Sequence, residues 1–139
     1  GDAVERGAKL LAGGKALDGV GTYYEPTVLT DVVPGSAILR EEIFGPVLAI
    51  STFSTEEEAV RLANDTEYGL VSYVFTENLQ RGQRMIDGLE TGMMGLNVGV
   101  VSNAAAPFGG VKQSGVGREG GFEGIHEYLS TKYTLIPVS

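Results

Sequence analysis

Between Pro46 and Val98 the chain repeats one pattern: a short apolar run, a turn, an amphipathic stretch, then another apolar run. Residues 46–53, Pro-Val-Leu-Ala-Ile-Ser-Thr-Phe, are bounded by turn signals and predict a buried strand. Thr55 followed by Glu58 fits a capping box, and Glu56 and Glu57 suit the positive end of a helix dipole. Ala59, Val60, Leu62 and Ala63 supply the apolar face of that helix. Residues 70–75, Leu-Val-Ser-Tyr-Val-Phe, predict a second buried strand, and residues 77–88 a second helix with Leu79, Ile86 and Leu89 on its apolar side. Residues 92–98 predict a third strand. Strands alternating with helices imply right-handed crossovers, hence an α/β fold with a mainly parallel sheet and flanking helices.

The flanks are less regular. Val4, Ala8 and Leu11 stand at helical spacing, so residues 2–12 predict a helix stopped by Gly13-Gly14. Residues 13–24 read as a loop. Thr27-Val28-Leu29 is strand-like, with Pro26 limiting its start. At the other end, Leu129, Thr131, Tyr133 and Leu135 alternate with Tyr128, Ser130, Lys132 and Thr134 across residues 128–138. That alternation predicts a strand with no later partner in the chain. It serves either as a template for pairing with another copy or as an edge strand of its own domain.

Composition excludes several classes of function. A net charge of −8 lacks the basic stripe that displaces counterions from nucleic-acid phosphates. No apolar run approaches the roughly 18 residues that span a bilayer. With no cysteine there is neither a disulfide framework nor a thiolate metal site, and no cluster has metal-ligand spacing. The lone His126 completes no Ser-His-Asp arrangement and fits a surface position at a helix end. The amino terminus has no secretory pattern and opens without methionine, so a piece of a longer cytoplasmic protein is expected.

Glycine is abundant, at 21 residues, and concentrates between Gly109 and Gly124. Such a segment adopts positive φ angles or lets backbones approach closely. Gly115-Val116-Gly117-Arg118-Glu119-Gly120 matches G-x-G-x-x-G literally. It follows a loop rather than a strand, and the chain nearly ends after it, so it is not a dinucleotide fingerprint. A glycine-rich turn before a short helix at 119–126 is the expectation.

Two places hold chemistry. Glu42 and Phe44 sit two apart before Gly45-Pro46. A carboxylate there accepts two hydrogen bonds from a ribose diol, and an aromatic face packs on a planar heterocycle. The alternative is a simple turn into a strand, with Phe44 in the core. Ser102 and Phe108 flank an irregular segment broken by Pro107 and Gly109-Gly110, the kind of loop that carries specificity on a rigid sheet. Phe108 would wall a pocket and Ser102 would donate a hydrogen bond to a carboxylate. Alternatively, Ser102 is a turn hydroxyl bonded to its own backbone. Asn97 is a candidate for orienting loop backbone.

Three segments in order carry a resemblance that covers essentially the whole chain. They are Tyr24-Glu25-Pro26-Thr27-Val28-Leu29 with Arg40-Glu41-Glu42-Ile43-Phe44-Gly45-Pro46, then Ala63-Asn64-Asp65-Thr66-Glu67-Tyr68-Gly69-Leu70, then Gly95-Leu96-Asn97 with Ala106-Pro107-Phe108-Gly109-Gly110-Val111-Lys112-Gln113-Ser114-Gly115. In this order and spacing the chain resembles the C-terminal part of the aldehyde dehydrogenase superfamily. Val100-Val101-Ser102-Asn103 before the Ala-Pro-Phe-Gly-Gly run, with Gly-Arg-Glu-Gly-Gly after it, looks most like the succinate-semialdehyde dehydrogenases.

The resemblance implies that residues 1–113 are part of a catalytic domain, 114–127 a glycine-rich loop and short helix, and 128–139 an oligomerisation strand. It implies NAD or NADP as cofactor, a small aldehyde as substrate, and a homo-oligomer formed through residues 128–138. Glu42 becomes the nicotinamide-ribose ligand and Phe44 the ring-packing residue. Ser102 and Phe108 become substrate contacts. Glu119 is a possible proton relay, or, with Arg118, part of structural ion pairs across subunits. The family's cysteine nucleophile, general-base glutamate and oxyanion-stabilising asparagine lie upstream of anything in this sequence. The intact reaction would be thiolate attack on the aldehyde, hydride transfer, and hydrolysis of the thioester. This chain alone is expected to be inactive. An association module, or a dehydrogenase for another semialdehyde such as glutarate semialdehyde, are the alternatives.

Overall fold

A computed structural model describes residues 1–138, which divide into two compact units, one spanning Gly1–Thr66 and a second beginning at Glu67. The first unit opens with α1 (Asp2–Glu5), followed by β1 (Lys9–Ala12), β2 (Thr27–Thr30) and β3 (Val47–Ala49), and closes with α2 (Glu56–Asn64). β1 pairs antiparallel with β2, with Lys9 opposite Thr30 and an irregularity between Leu10 and Ala12. β2 pairs parallel with β3, with Thr27 opposite Val47 and Leu29 opposite Ala49.

The helix expected over 2–12 is therefore wrong beyond Glu5. Gly7 takes φ +105, which no helix accommodates, and the residues after it satisfy their backbone groups in the ladder with β2. Ala3, Ala8, Leu29 and Val32 form the core of this unit, with Ile38, Leu39, Val47 and Ala49 packed against it. Asp2 ties α1 to the following chain: its carboxylate accepts from Arg6 Nε at 2.6 Å and from the Ala37 amide at 2.8 Å. The Arg6 hydrogen bond, then that of Ala37, hold the Asp2 carboxyl below the usual carboxylate range.

α2 starts as its sequence predicts. Thr55 Oγ1 accepts from the Glu58 amide at 3.1 Å, and the Glu58 carboxylate reaches back to the Ser54 amide at 2.8 Å.

The second unit contains β4 (Tyr68–Gly69), β5 (Val71–Val74), α3 (Leu79–Gly88), β6 (Met93–Leu96) and β7 (Val111–Lys112). β5 and β6 are parallel, with Val71 opposite Met93 and Val74 opposite Leu96, and α3 makes the crossover between them. β4 and β7 pair antiparallel, with Gly69 opposite Val111. Asn78 caps α3, its Oδ1 accepting from the Arg81 amide at 2.9 Å. The face of α3 that packs is Gly82 and Met85, both buried, and not the expected pair Leu79 and Ile86, which stay exposed. Gly82 permits this: a Cβ there would stand 2.9 Å from Leu96 Cδ2, so the helix rests directly on β6.

The α/β class stands, with helices between strands. The single, mainly parallel sheet does not: the strands form one three-stranded and two two-stranded sheets, with two parallel and two antiparallel pairings. The strand at 46–53 finds its partner in β2, as the shorter β3. The helix expected at 119–126 is a 3-10 segment at Glu123–Tyr128, because Gly120 and Gly121 take φ +68 and +59 and cannot begin a helix. The strand expected at 128–138 finds no partner among the described residues of this chain. Leu129 is extended, at φ −112 and ψ 143, but residues 129–138 join no ladder among the described residues. Alternation supplies the pattern of a strand; a ladder needs a second backbone.

Candidate functional site

Glu42 and Phe44 lie in the first unit, in the irregular turn that leads into β3. The turn is held by the Thr27 amide donating to Pro46 O at 2.8 Å and the Val47 amide donating to Gly45 O at 2.8 Å. Both side chains are at the surface, and Phe44 is 93% exposed at φ +47. Among the described residues the Phe44 ring lies outside the core of the first unit. The two residues, two apart in the chain, leave a carboxylate and an aromatic ring open to solvent, groups of the kind that accept from a ribose diol and pack on a planar heterocycle.

Ser102, Phe108 and Glu119 belong to the second unit. The segment from Val98 to Pro107 is irregular and begins at Asn97, which takes φ +55. The Asn97 side chain joins the ends of β5 and β6: its Oδ1 accepts from the Thr76 amide at 2.8 Å and its Nδ2 donates to Thr76 O at 2.9 Å. Asn97 thus orients backbone at the start of the loop. Within the loop, Asn103 Oδ1 accepts from the Ala105 amide at 2.9 Å, so Asn103 makes the side-chain turn and the Ser102 hydroxyl stays at the surface.

Phe108 and Glu119 exchange both backbone hydrogen bonds, at 2.7 and 2.8 Å, and close the glycine-rich segment into a loop. Phe108 is 37% exposed, so part of it stays open to solvent. Glu119 therefore sits directly opposite Phe108 with its side chain at the surface. Arg118 binds carbonyl oxygens of its own loop, with Nη1 2.7 Å from both Gly110 O and Gly117 O. His126 is exposed in the 3-10 segment, as its place at a helix end predicts.

A shallow concavity lined by Phe75, Thr76, Glu77, Asn78, Arg81 and Asn97 lies at the C-terminal ends of β5 and β6 and the start of α3. Only Asn97 among its lining was singled out from the sequence; the Thr76 backbone contacts that fix it carry no side-chain signature. No helix among the described residues is long and apolar enough to cross a membrane.

The aldehyde dehydrogenase family profile matches residues 1–134. The succinate-semialdehyde dehydrogenase of Paenarthrobacter nicotinovorans is 55% identical over 131 residues, covering 94% of this chain and 29% of that protein. The glutarate-semialdehyde dehydrogenase of Pseudomonas putida is 47% identical, covering 99% of this chain and 28% of that protein. The crystal structure of succinate-semialdehyde dehydrogenase from Burkholderia pseudomallei superposes with a TM-score of 0.84 at 51% identity, over 91% of this chain and 26% of that one. The chain thus spans under a third of the length of these relatives.

Proposed function

Because the chain belongs to the aldehyde dehydrogenase family, we propose that it is the C-terminal part of an NAD(P)-dependent enzyme oxidising succinate semialdehyde to succinate, and that it has no turnover alone. The observation that carries the reading is Phe44, a strained and exposed aromatic two residues after Glu42, whose side chain is also at the surface. Backbone strain of this kind persists where a side chain must be presented in one place. Glu42 would hold the nicotinamide ribose and Phe44 would pack on the ring; the chemistry supplied by NAD or NADP is hydride acceptance. The cofactor is not expected to bind well to this part alone, since Glu42 and Phe44 offer one edge of a site.

On the substrate side, the surface hydroxyl of Ser102 would donate to the distal carboxylate of a semialdehyde, and Phe108 would wall its chain. Glu119, opposite Phe108, would relay protons. The sequence contains no cysteine, so a thiolate nucleophile has to come from outside these residues. Glutarate semialdehyde differs from the succinate compound by one methylene, a change worth only about 1–3 kcal/mol in a pocket, and the similarity to a glutarate-semialdehyde dehydrogenase keeps it as the second substrate.

The test uses a full-length dehydrogenase carrying this chain as its C-terminal part. Ser102→Ala is expected to lower kcat/KM for succinate semialdehyde about tenfold, as for one lost hydrogen bond to a charged group, and to spare an aldehyde lacking the carboxylate. Equal losses on both substrates overturn the role of Ser102. NAD(P)-dependent turnover by the 139-residue chain alone overturns the proposal that it is inactive.

A second reading, an association module, is favoured by one observation: residues 129–138 are extended at Leu129, exposed, and without a ladder partner among the described residues.

A further inference from the structure

The glycine-rich segment 107–119 has the appearance of a flexible loop in sequence, yet its backbone is tied at several points. Phe108 and Glu119 exchange two backbone hydrogen bonds. The Gln113 amide donates to Glu67 O at 2.8 Å, and Ser114 Oγ accepts from the Gly69 amide at 2.9 Å, which ties the far end of the loop to β4. Inside the loop the two arms lie too close for side chains. A Cβ on Gly109 would stand 2.6 Å from Gly117 O, and a Cβ on Gly110 would stand 2.6 Å from Ser114 Cβ.

Crossing that gap is Arg118. A single terminal nitrogen, Nη1, donates to Gly110 O on one arm and to Gly117 O on the other. Charge-assisted hydrogen bonds of this kind are about twice as strong as neutral ones. Gly110 is two residues after Phe108, and Arg118 itself is adjacent to Glu119, the backbone partner of Phe108. The guanidinium therefore closes the loop beside the one pair that fixes where the Phe108 ring emerges.

We propose that Arg118 is a positioning residue for Phe108: by bridging the carbonyls of Gly110 and Gly117 it sets the aromatic wall of the substrate site. The structural half of this stands on geometry alone. The functional half rests on the reading of Phe108 as a substrate wall.

Amide hydrogen exchange on the 139-residue chain tests the structural half. In Arg118→Met, protection of the Phe108 and Glu119 amides is expected to fall about tenfold while β5 and β6 keep theirs, and Arg118→Lys should recover part of it, because one nitrogen makes both bonds. Unchanged protection at Phe108 and Glu119 overturns the proposal. So does a loss spread equally over β5 and β6 that lysine fails to rescue.

Kinetics on a full-length dehydrogenase carrying this chain test the functional half. Arg118→Met is expected to raise KM for the semialdehyde about tenfold with kcat changed less than about twofold, and to add nothing in a Phe108→Ala background. Additive effects overturn the coupling. If Phe108→Ala leaves KM unmoved, the wall reading fails by itself, and the exchange experiment still decides whether Arg118 positions the loop.

Discussion

Phe44 combines two circumstances that a stable fold ordinarily avoids, φ +47 in a non-glycine residue and a ring 93% exposed. The first costs about 1–3 kcal/mol, and the second means that burial returns almost nothing. Three other non-glycine residues share the left-handed region, but each differs from Phe44. Asp31 and Asn97 are of the types that tolerate it, and Lys112 is anchored by a 2.7 Å ion pair from its Nζ to Glu90 Oε2. Phe44→Gly should therefore relieve strain. Set against a loss of about 0.5–1 kcal/mol from the freer unfolded chain, the net is a stability unchanged or raised by up to about 2 kcal/mol. Urea unfolding of the chain measures it, and a loss above about 1 kcal/mol would show that the ring is structural. In a full-length dehydrogenase the same change should weaken nicotinamide cofactor binding. The sequence made the Glu-x-Phe-Gly-Pro turn visible, and with it the pair of groups. The strain was not visible, because φ at a phenylalanine follows from what the neighbouring Gly45 and Pro46 demand of the turn and leaves no trace in residue type. Ser102 is similar: its hydroxyl is left at the surface because Asn103 takes the turn, a competition between two adjacent polar residues that pattern alone does not resolve.

The elements that the sequence announced correctly are those whose signals are local. The cap at Thr55 and the apolar runs of β5 and β6 each state their structure within a few residues, and all three form where expected, although the buried strand expected at 70–75 is only half-buried, with Leu70, Tyr73 and Phe75 exposed. Elements that depend on a partner were not legible. Lys9–Ala12 has helical spacing yet becomes β1 because β2 is available beside it, and the alternation at 128–138 needs a second backbone that none of the described residues supplies. α3 is legible as a helix but not in its orientation. A periodicity argument weighs large apolar residues, whereas the contact is made through Gly82, where absence of a side chain lets the helix touch Leu96. The same logic of missing side chains governs Gly92 at the start of β6. A Cβ there would collide with backbone, Gly109 O and, at 2.8 Å, Gly110 Cα, neither of which can swing aside. Gly92→Ala should accordingly destabilise the second unit by about 1–3 kcal/mol or more and loosen the loop that carries Phe108. Gly99, by contrast, has nothing within 4 Å of its would-be Cβ, and Gly99→Ala should stay within about 0.5 kcal/mol of the parent. Thermal denaturation of the two variants side by side checks this; equal melting temperatures would mean that β6 and the glycine-rich loop are not packed as described.

At the scale of the molecule the quantity that matters is surface left uncovered. A compact protein of 14.6 kDa exposes about 6,900 Å², and two separate compact units of half that mass about 8,300 Å² together, whereas this chain exposes 10603 Å². The second comparison makes no assumption about how the units are arranged, and still leaves roughly 2,300 Å² in excess, well above the ~800 Å² that each partner contributes to an ordinary interface. Much of that surface is apolar. Leu129, Tyr133, Leu135, Ile136 and Val138 are all more than half exposed, and in the core of the first unit only Ala3, Ala8, Leu29 and Val32 are fully withdrawn. Apolar area of this extent is normally covered by another chain or by more of the same one. Residues 129–138 add a specific means, since an exposed backbone that joins no ladder among the described residues offers its amides and carbonyls to a second strand. The purified chain is therefore expected to associate in solution, and a chain ending at Glu127 should do so less. Light scattering over a concentration series reads both. If the shortened chain keeps the mass and concentration dependence of the parent, the terminal segment does not drive association, and the exposed faces of Leu79, Ile86 and β3 become the surfaces to alter next. If the shortened chain becomes monomeric while its amide protection in β5 and β6 is retained, association through the terminal segment is separable from folding of the second unit, which is the behaviour a pairing strand has and a core element lacks.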